Sequence, residues 1–226
     1  MPPHIAIIAA LPREIAALVR GTKPDAELLR RGIHLHRLPD AIVVVGGMGS
    51  ERVTQAFQAA VAVAPITTVV STGLAGACTA ALAVGDVVEA TTVIEARTGE
   101  RFAAKASQTP HILVSTETIA SIREKARLAE TYAAAIVDME AATVARLAAA
   151  HSLSFRAIKA ISDAHDFELA SLARFAGKDG HFRTGAFALH TALRPHHWPK
   201  AMHLGRASTL ALANLHKALL EVIALA

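Results

Sequence analysis

The chain has 226 residues, 53% of them hydrophobic and 19% charged, with 23 Lys and Arg against 19 Asp and Glu. That length suits one domain, since two would each have a small core, and the apolar content excludes wholesale disorder. Aromatic residues, at 4%, supply too few stacking platforms for a nucleic-acid binder, so no nucleic-acid partner is expected and the basic excess reads as a solvated face.

In chain order, MPPHIAIIAALPREIAALV has no basic lead and no small-residue cleavage site, and Arg13 and Glu14 interrupt its apolar run. It reads as a strand, IAIIAAL, followed by a helical PREIAALVRG. No stretch reaches the roughly 18 uninterrupted apolar residues of a membrane-spanning helix. The single cysteine, Cys78, permits no internal disulfide and fits a cytoplasmic location as a buried, inert thiol. Next, AIVVVGG reads as a buried strand whose Gly46, Gly47 and Gly49 turn into the helix SERVTQAFQAAVAVAP, with Ser50 as its N-cap. Backbone N–H groups at such a turn can hold an anion or a sugar hydroxyl, although Arg52 stands where a dinucleotide fingerprint needs its third glycine.

TTVVSTGLAG, DVVEATTVI, AAAIVDME and SFRAIKAIS read as further strands. TETIASIREKARLAE, EAATVARLAAAHSL and ASTLALANLHKALLEVIALA have helical spacing. Strands alternating with helices predict an α/β fold in a single domain over 1–226. Glycines and prolines break the periodicity over 167–200, which is predicted to be a loop or lid insertion.

Open α/β sheets bind ligands at the carboxyl ends of their strands. Glu14, Glu140 and Asp163 each follow an apolar run. Three such carboxylates suit glycosyl transfer, in which one group protonates the leaving group, one activates a nucleophile and one faces the developing positive charge. Taken singly, each is better explained without chemistry: Glu14 and Glu140 as helix-terminus charges worth about 0.3–1 kcal/mol, and Asp163 as a helix cap. The 12 histidines lack zinc-site spacing, so no metal is expected.

AALPREIAAL, STGLAGACTAALAVGDVV, VDMEAATVARLAAAHSLSF and AIKAISDAHD resemble the nucleoside phosphorylase/nucleosidase superfamily, most nearly its methylthioadenosine/S-adenosylhomocysteine nucleosidases. The resemblance implies a three-layer α/β/α fold with a mixed central sheet, and cleavage of the bond between a purine and ribose. It implies that Asp163, oriented by Ser162, protonates N7 of the purine. Glu140 would hold ribose hydroxyls, Met139 pack on the sugar and Glu14 activate water, with Gly73, Ala75 and Gly76 lining the base and sugar site. An adenine nucleoside as substrate, no cofactor and a homodimer follow from the same resemblance.

Departures from the family's pattern refine the expectation. Ser71 and Glu14 stand where related phosphorylases carry arginines, which favours water over phosphate as nucleophile. Arg13, Ser50 and Arg52, beside Gly47 and Gly49, form an alternative anion seat that leaves inorganic phosphate open as a co-substrate. Ile119 replaces the purine-stacking Phe of the methylthioadenosine enzymes, and Lys159 the Arg before their Ser-Asp pair. GAFALHTALRPHHWPKAMHLGRASTLALANL resembles the hopanoid-associated members of the superfamily. That implies a lipid-linked nucleoside, adenosylhopane, with peripheral membrane contact through Phe187, Trp198 and Leu204. Methylthioadenosine or S-adenosylhomocysteine hydrolysis is the rival substrate reading. A non-catalytic nucleoside-binding protein, which would not need Asp163, is the rival from another class.

Overall fold

The computed structural model describes residues 5–106, 109–169 and 198–225. From the N-terminus come β1 (Ile5–Ala9), α1 (Pro12–Ile15), α2 (Ala26–Arg30), β2 (His34–Arg37), β3 (Ala41–Val45) and α3 (Ser50–Val63). The middle of the chain supplies β4 (Thr68–Ala77), β5 (Val87–Ala90), β6 (Thr92–Glu95), β7 (Arg101–Ala103) and β8 (Ile112–Ser115). The C-terminal part holds α4 (Ile122–Tyr132), β9 (Ile136–Asp138), α5 (Ala141–Ala150), β10 (Ser154–Asp163) and α6 (Trp198–Ala224).

Ile, Val and Ala runs put the strands in the interior. β1 and β3 are buried at every residue, as strands covered on both faces must be. The mixed sheet has ten strands in the order β2-β3-β1-β4-β9-β8-β6-β7, with β10 beside β4 and β5 beside β10. β1, β3, β4 and β10 run parallel, while β9 is antiparallel to β4 and β5 to β10. On one face, Val53, Ala56 and Phe57 of α3 pack with Ala141, Val144 and Ala148 of α5. On the other, Ala211, Leu215 and Leu219 of α6 pack on Ile7, Val70 and Ile158. Leu128 of α4 closes a further cluster with Ile94, Val114 and Val137. This is a three-layer α/β/α architecture around a mixed central sheet.

Several boundaries differ from the sequence reading. DVVEATTVI is two strands, β5 and β6, because the chain leaves β10 and crosses to β8 around Thr91. The helix in TETIASIREKARLAE starts only at Ile122, where the Ser121 hydroxyl accepts from the Glu124 N–H at 3.2 Å. PREIAALVRG keeps a single short helix, α1. Gly49, at φ 89°, takes the N-cap position expected of Ser50, which becomes the first helical residue. Strands β2, β7 and β8, of 4, 3 and 4 residues, are too short to stand out as apolar runs in the sequence. Among the described residues the last helix runs over Trp198–Ala224, and so takes in residues ahead of Ala207, where the sequence pattern starts it. Most of the expected 167–200 insertion, including Phe187, lies outside the described residues. Among the described residues no helix is long and apolar enough to cross a membrane.

Gly46 sets how closely α3 follows β3. A Cβ there would meet the Arg52 carbonyl oxygen at 2.3 Å and the Ala56 Cβ at 2.8 Å. Gly46→Ala is therefore expected to destabilise the fold by about 1–3 kcal/mol through overpacking. A denaturation midpoint equal to that of the parent chain would refute this.

Candidate active site

The site opens where β4 changes partners. β4 pairs with β1 through Ser71 and with β9 only from Gly76. Between those points β4 keeps β10 along one edge, and on the other edge its backbone meets side chains instead of a strand. The Leu74 N–H donates to Glu14 Oε1 at 3.1 Å, and the Thr72 carbonyl accepts from Lys159 Nζ at 3.1 Å. A parting of strands at their carboxyl ends is a standard ligand position in α/β sheets. A pocket of about 300 Å³ lies there.

Glu14 sits at one wall, 7% exposed. Its Oε2 accepts from the Ala10 and Leu11 N–H groups at 3.0 and 2.8 Å, so backbone donors hold it as an acceptor. Gly73 lets β4 pass this close. Its φ is +131°, and a Cβ would lie 2.8 Å from Glu14 Oε1.

A buried ion pair underlies the next wall. Lys159 Nζ lies 2.8 Å from Asp138 Oδ2. Asp138 also accepts from the Ser115 hydroxyl at 2.6 Å and the Ala141 N–H at 3.0 Å, which fastens the start of α5 to β8. Although burial works against its charge, Asp138 and Glu140 carry Lys159 above the ordinary lysine value. Glu140, the residue before α5, accepts from the Gly49 N–H at 3.2 Å through Oε1. Burial, and then the Asp138 carboxylate, push Glu140 up to about 7, against the opposing pull of Lys159 and the Gly49 N–H.

The third carboxylate depends on an irregularity in β10. The register shifts between Ile161 and Asp163, and such a bulge re-aims side chains, so Ser162 and Asp163 both border the pocket. Ser162 Oγ donates to Asp163 Oδ1 at 2.6 Å and lies 3.3 Å from the Ala75 carbonyl oxygen. Asp163 Oδ2 is paired with Lys125 Nζ, both side chains being buried. Cys78 lies nearby, buried, its thiol pushed up to about 12 mainly by that burial.

Of the residues expected from sequence, Glu14, Ala75, Gly76, Ile119, Met139, Glu140, Ser162 and Asp163 line this one pocket. Gly73 backs Glu14, and Gly49 reaches the site through its N–H on Glu140. Gly47 and Ser50 are not among the lining residues, whereas Arg13 is. Arg52 does not line the pocket either. Its Nε donates to the Gly46 carbonyl at 2.6 Å, Nη1 to Gln55 Oε1 at 3.0 Å and Nη2 to the Gly32 carbonyl at 2.8 Å, which binds α3 to its neighbouring turns. Lys125, Met48, Thr116, Thr118, Leu169, Leu204 and Ser208 also line the pocket; of these, sequence reasoning had marked only Leu204, as part of an apolar tail site. One signal for Lys125 was available: it stands three residues before Leu128, on the buried stripe of α4.

The model of the phosphorylase superfamily matches residues 4–117 and 98–189. No curated protein is similar in sequence. In fold the chain resembles the 5′-methylthioadenosine/S-adenosylhomocysteine nucleosidase of Neisseria meningitidis, solved with methylthio-immucillin-A. There, identity is 19%, 97% of each chain is covered and the TM-score is 0.69. It also resembles a mutant of the Helicobacter pylori nucleosidase with 5′-methylthioadenosine in the active site, at 15% identity, 98% and 100% coverage and a TM-score of 0.67. A futalosine hydrolase mutant from Helicobacter pylori matches at 17% identity, 80% and 97% coverage and a TM-score of 0.58. At these identities the likeness to the solved structures is one of fold.

Proposed function

The chain belongs to the phosphorylase superfamily, and from that premise we propose that it releases the base from an adenine nucleoside, with water favoured over phosphate as the nucleophile. The observation that carries this reading is the convergence of Glu14, Glu140 and Asp163 on one pocket. Asp163 gives a proton to N7, so that the base leaves with the glycosidic electron pair. Glu140 holds the ribose hydroxyls and faces the sugar as it becomes cationic. Glu14 takes the proton of the attacking water.

Two observations favour water. Ser71 is 1% exposed and offers an incoming phosphate no handle. The Arg52 guanidinium is held by Gly46, Gln55 and Gly32. For the 5′ substituent we favour an apolar group, with adenosylhopane as the preferred substrate. Leu169 after β10 and Leu204 on α6 join Leu11 and Met48 in the pocket wall, which suits an apolar tail. Methylthioadenosine is the second reading, supported by the likeness in fold to nucleosidases solved with that compound or its analogues. The test is chromatographic adenine release from adenosylhopane and from methylthioadenosine, each with and without phosphate. Release that requires phosphate would overturn the choice of water, and release from methylthioadenosine alone would overturn the lipid substrate.

Gly76 offers a sharper test of the geometry. A Cβ there would lie 2.8 Å from Asp163 Oδ2 and 3.0 Å from Lys125 Cε. Gly76→Ala must displace the acid, and a misplacement of about 1 Å is expected to lower kcat by about 10²-fold. An alanine variant with undiminished turnover would take Asp163 out of the reaction.

A further inference from the structure

We infer that the group protonating the departing base is the Lys125–Asp163 pair, not Asp163 alone, with Lys125 a positioning residue that also supplies Asp163 with its proton. This rests on the functional reading above and deepens it at the acid. Lys125 is buried on α4, and its Nζ donates to Asp163 Oδ2, to the Ala164 carbonyl at 2.8 Å and to the Phe167 carbonyl at 3.2 Å. An ammonium has three hydrogens, and these three acceptors take them all. Lys125 therefore has no hydrogen left for a substrate and acts through Asp163. The two carbonyls fix the chain just after β10, so the same side chain sets where Asp163 stands.

The proton count follows from the hydrogen bonds. Asp163 Oδ1 accepts from the Ser162 hydroxyl and Oδ2 from Lys125. A carboxylate so held is an acceptor and cannot donate to N7 until it acquires a proton. The proton in contact with it is on Lys125. Its transfer from Nζ to Oδ2 converts ammonium and carboxylate into amine and carboxylic acid, which leaves the buried pair neutral throughout. The acid then gives that proton to N7, and the glycosidic electron pair leaves with the base. What remains is a carboxylate beside a neutral amine, a net negative charge formed as the ribosyl group becomes positive. Water adds to the sugar and gives its proton to Glu14. Exchange of that proton through solvent to the Lys125 amine resets the site.

The other buried pair shows what a structural pair looks like here. Asp138 accepts from Lys159, from the Ser115 hydroxyl and from the Ala141 N–H, and serves to seat α5. The Lys125–Asp163 pair instead lies against Gly76, where the absence of a Cβ makes room for both Lys125 Cε and Asp163 Oδ2.

The experiment is a double-mutant cycle on the full chain, with whichever of adenosylhopane and methylthioadenosine the parent chain cleaves faster as probe and adenine release as readout. Lys125→Met is expected to lower kcat by about 10²-fold, the scale of a lost proton donor, with KM changed by less than about threefold. In an Asp163→Asn background the same substitution is expected to change kcat by less than about twofold, since its route of action is already gone. Equal losses in both backgrounds, or parental kcat in Lys125→Met, would overturn the inference. If Lys125→Met does not fold, Lys125→Ala titrated with n-propylamine decides: recovered turnover supports the pair, and no recovery overturns it. Undiminished kcat in Asp163→Asn alone would instead sink the proposed function.

Discussion

Asp163→Asn is expected to lower kcat for adenine release by about 10²–10⁴-fold, the range for a positioned general acid, with little change in KM. The amide keeps the size of the carboxyl but has no proton to give at N7. It also removes the partner of a buried ammonium. Lys125 would retain the Ala164 and Phe167 carbonyls but lose the charge that compensates it. Breaking one side of a buried pair costs about 3–5 kcal/mol, so the variant should also melt at a lower temperature. Restoring charge balance with Lys125→Met in the same chain should recover part of that stability but none of the turnover. An Asp163→Asn variant that melts early yet turns over at the parental rate would leave a structural ion pair and a nucleoside-binding protein.

The three carboxylates were legible because each follows an apolar strand, and strand ends in an α/β sheet converge. What surrounds them was less so. Val84, Gly85 and Asp86, inside the STGLAGACTAALAVGDVV stretch that carries the resemblance, do not line the pocket. Gly85, at φ +95°, donates its N–H to the Ile161 carbonyl, and the Ile161 N–H donates to the Asp86 carbonyl. The Gly85 carbonyl in turn accepts from Asn214 on α6 at 2.8 Å. The motif thus anchors the end of β10 beside its bulge, next to Ser162 and Asp163, from outside the pocket lining.

Arg52 shows the reverse case. A guanidinium one turn into a helix after glycines reads as an anion seat, but three of its donors go to the Gly46 and Gly32 carbonyls and to Gln55, and it stands outside the pocket lining, which only the packing of α3 reveals. Lys125 was hidden for a similar reason. Its neighbours in sequence describe an ordinary amphipathic helix, and its meaning comes from Asp163, 38 residues away. Ile119 reaches the pocket because α4 starts late and leaves Thr116–Ala120 as irregular chain along the site.

Glu140 should make the reaction depend on pH in a direction opposite to its effect on stability. Its carboxyl is raised from the ordinary 4.5 to about 7, first by burial and then by Asp138. A carboxyl raised on folding binds its proton more tightly in the folded chain than in the unfolded one. Folding is therefore favoured at low pH, and a penalty grows as pH rises from about 4.5 towards 7 and Glu140 ionises in place. Only the ionised form can face a ribosyl cation with negative charge. So kcat/KM should climb through the upper part of that window while the contribution of Glu140 to stability declines. Glu140→Gln removes the charge at every pH. It should lower kcat/KM at about pH 8 by about 10²–10³-fold, the cost of losing one preorganised electrostatic contact, and flatten the limb near neutrality. It should also gain stability relative to the parent chain at about pH 8 but not at about pH 5, where both chains carry a neutral group. A limb near pH 7 that survives in Glu140→Gln would assign that ionisation to another group. An equal change in Tm at the two pH values would mean that Glu140 binds its proton no more tightly in the folded chain than in the unfolded one, so that it is already ionised well below neutrality and its burial sets no pH limb.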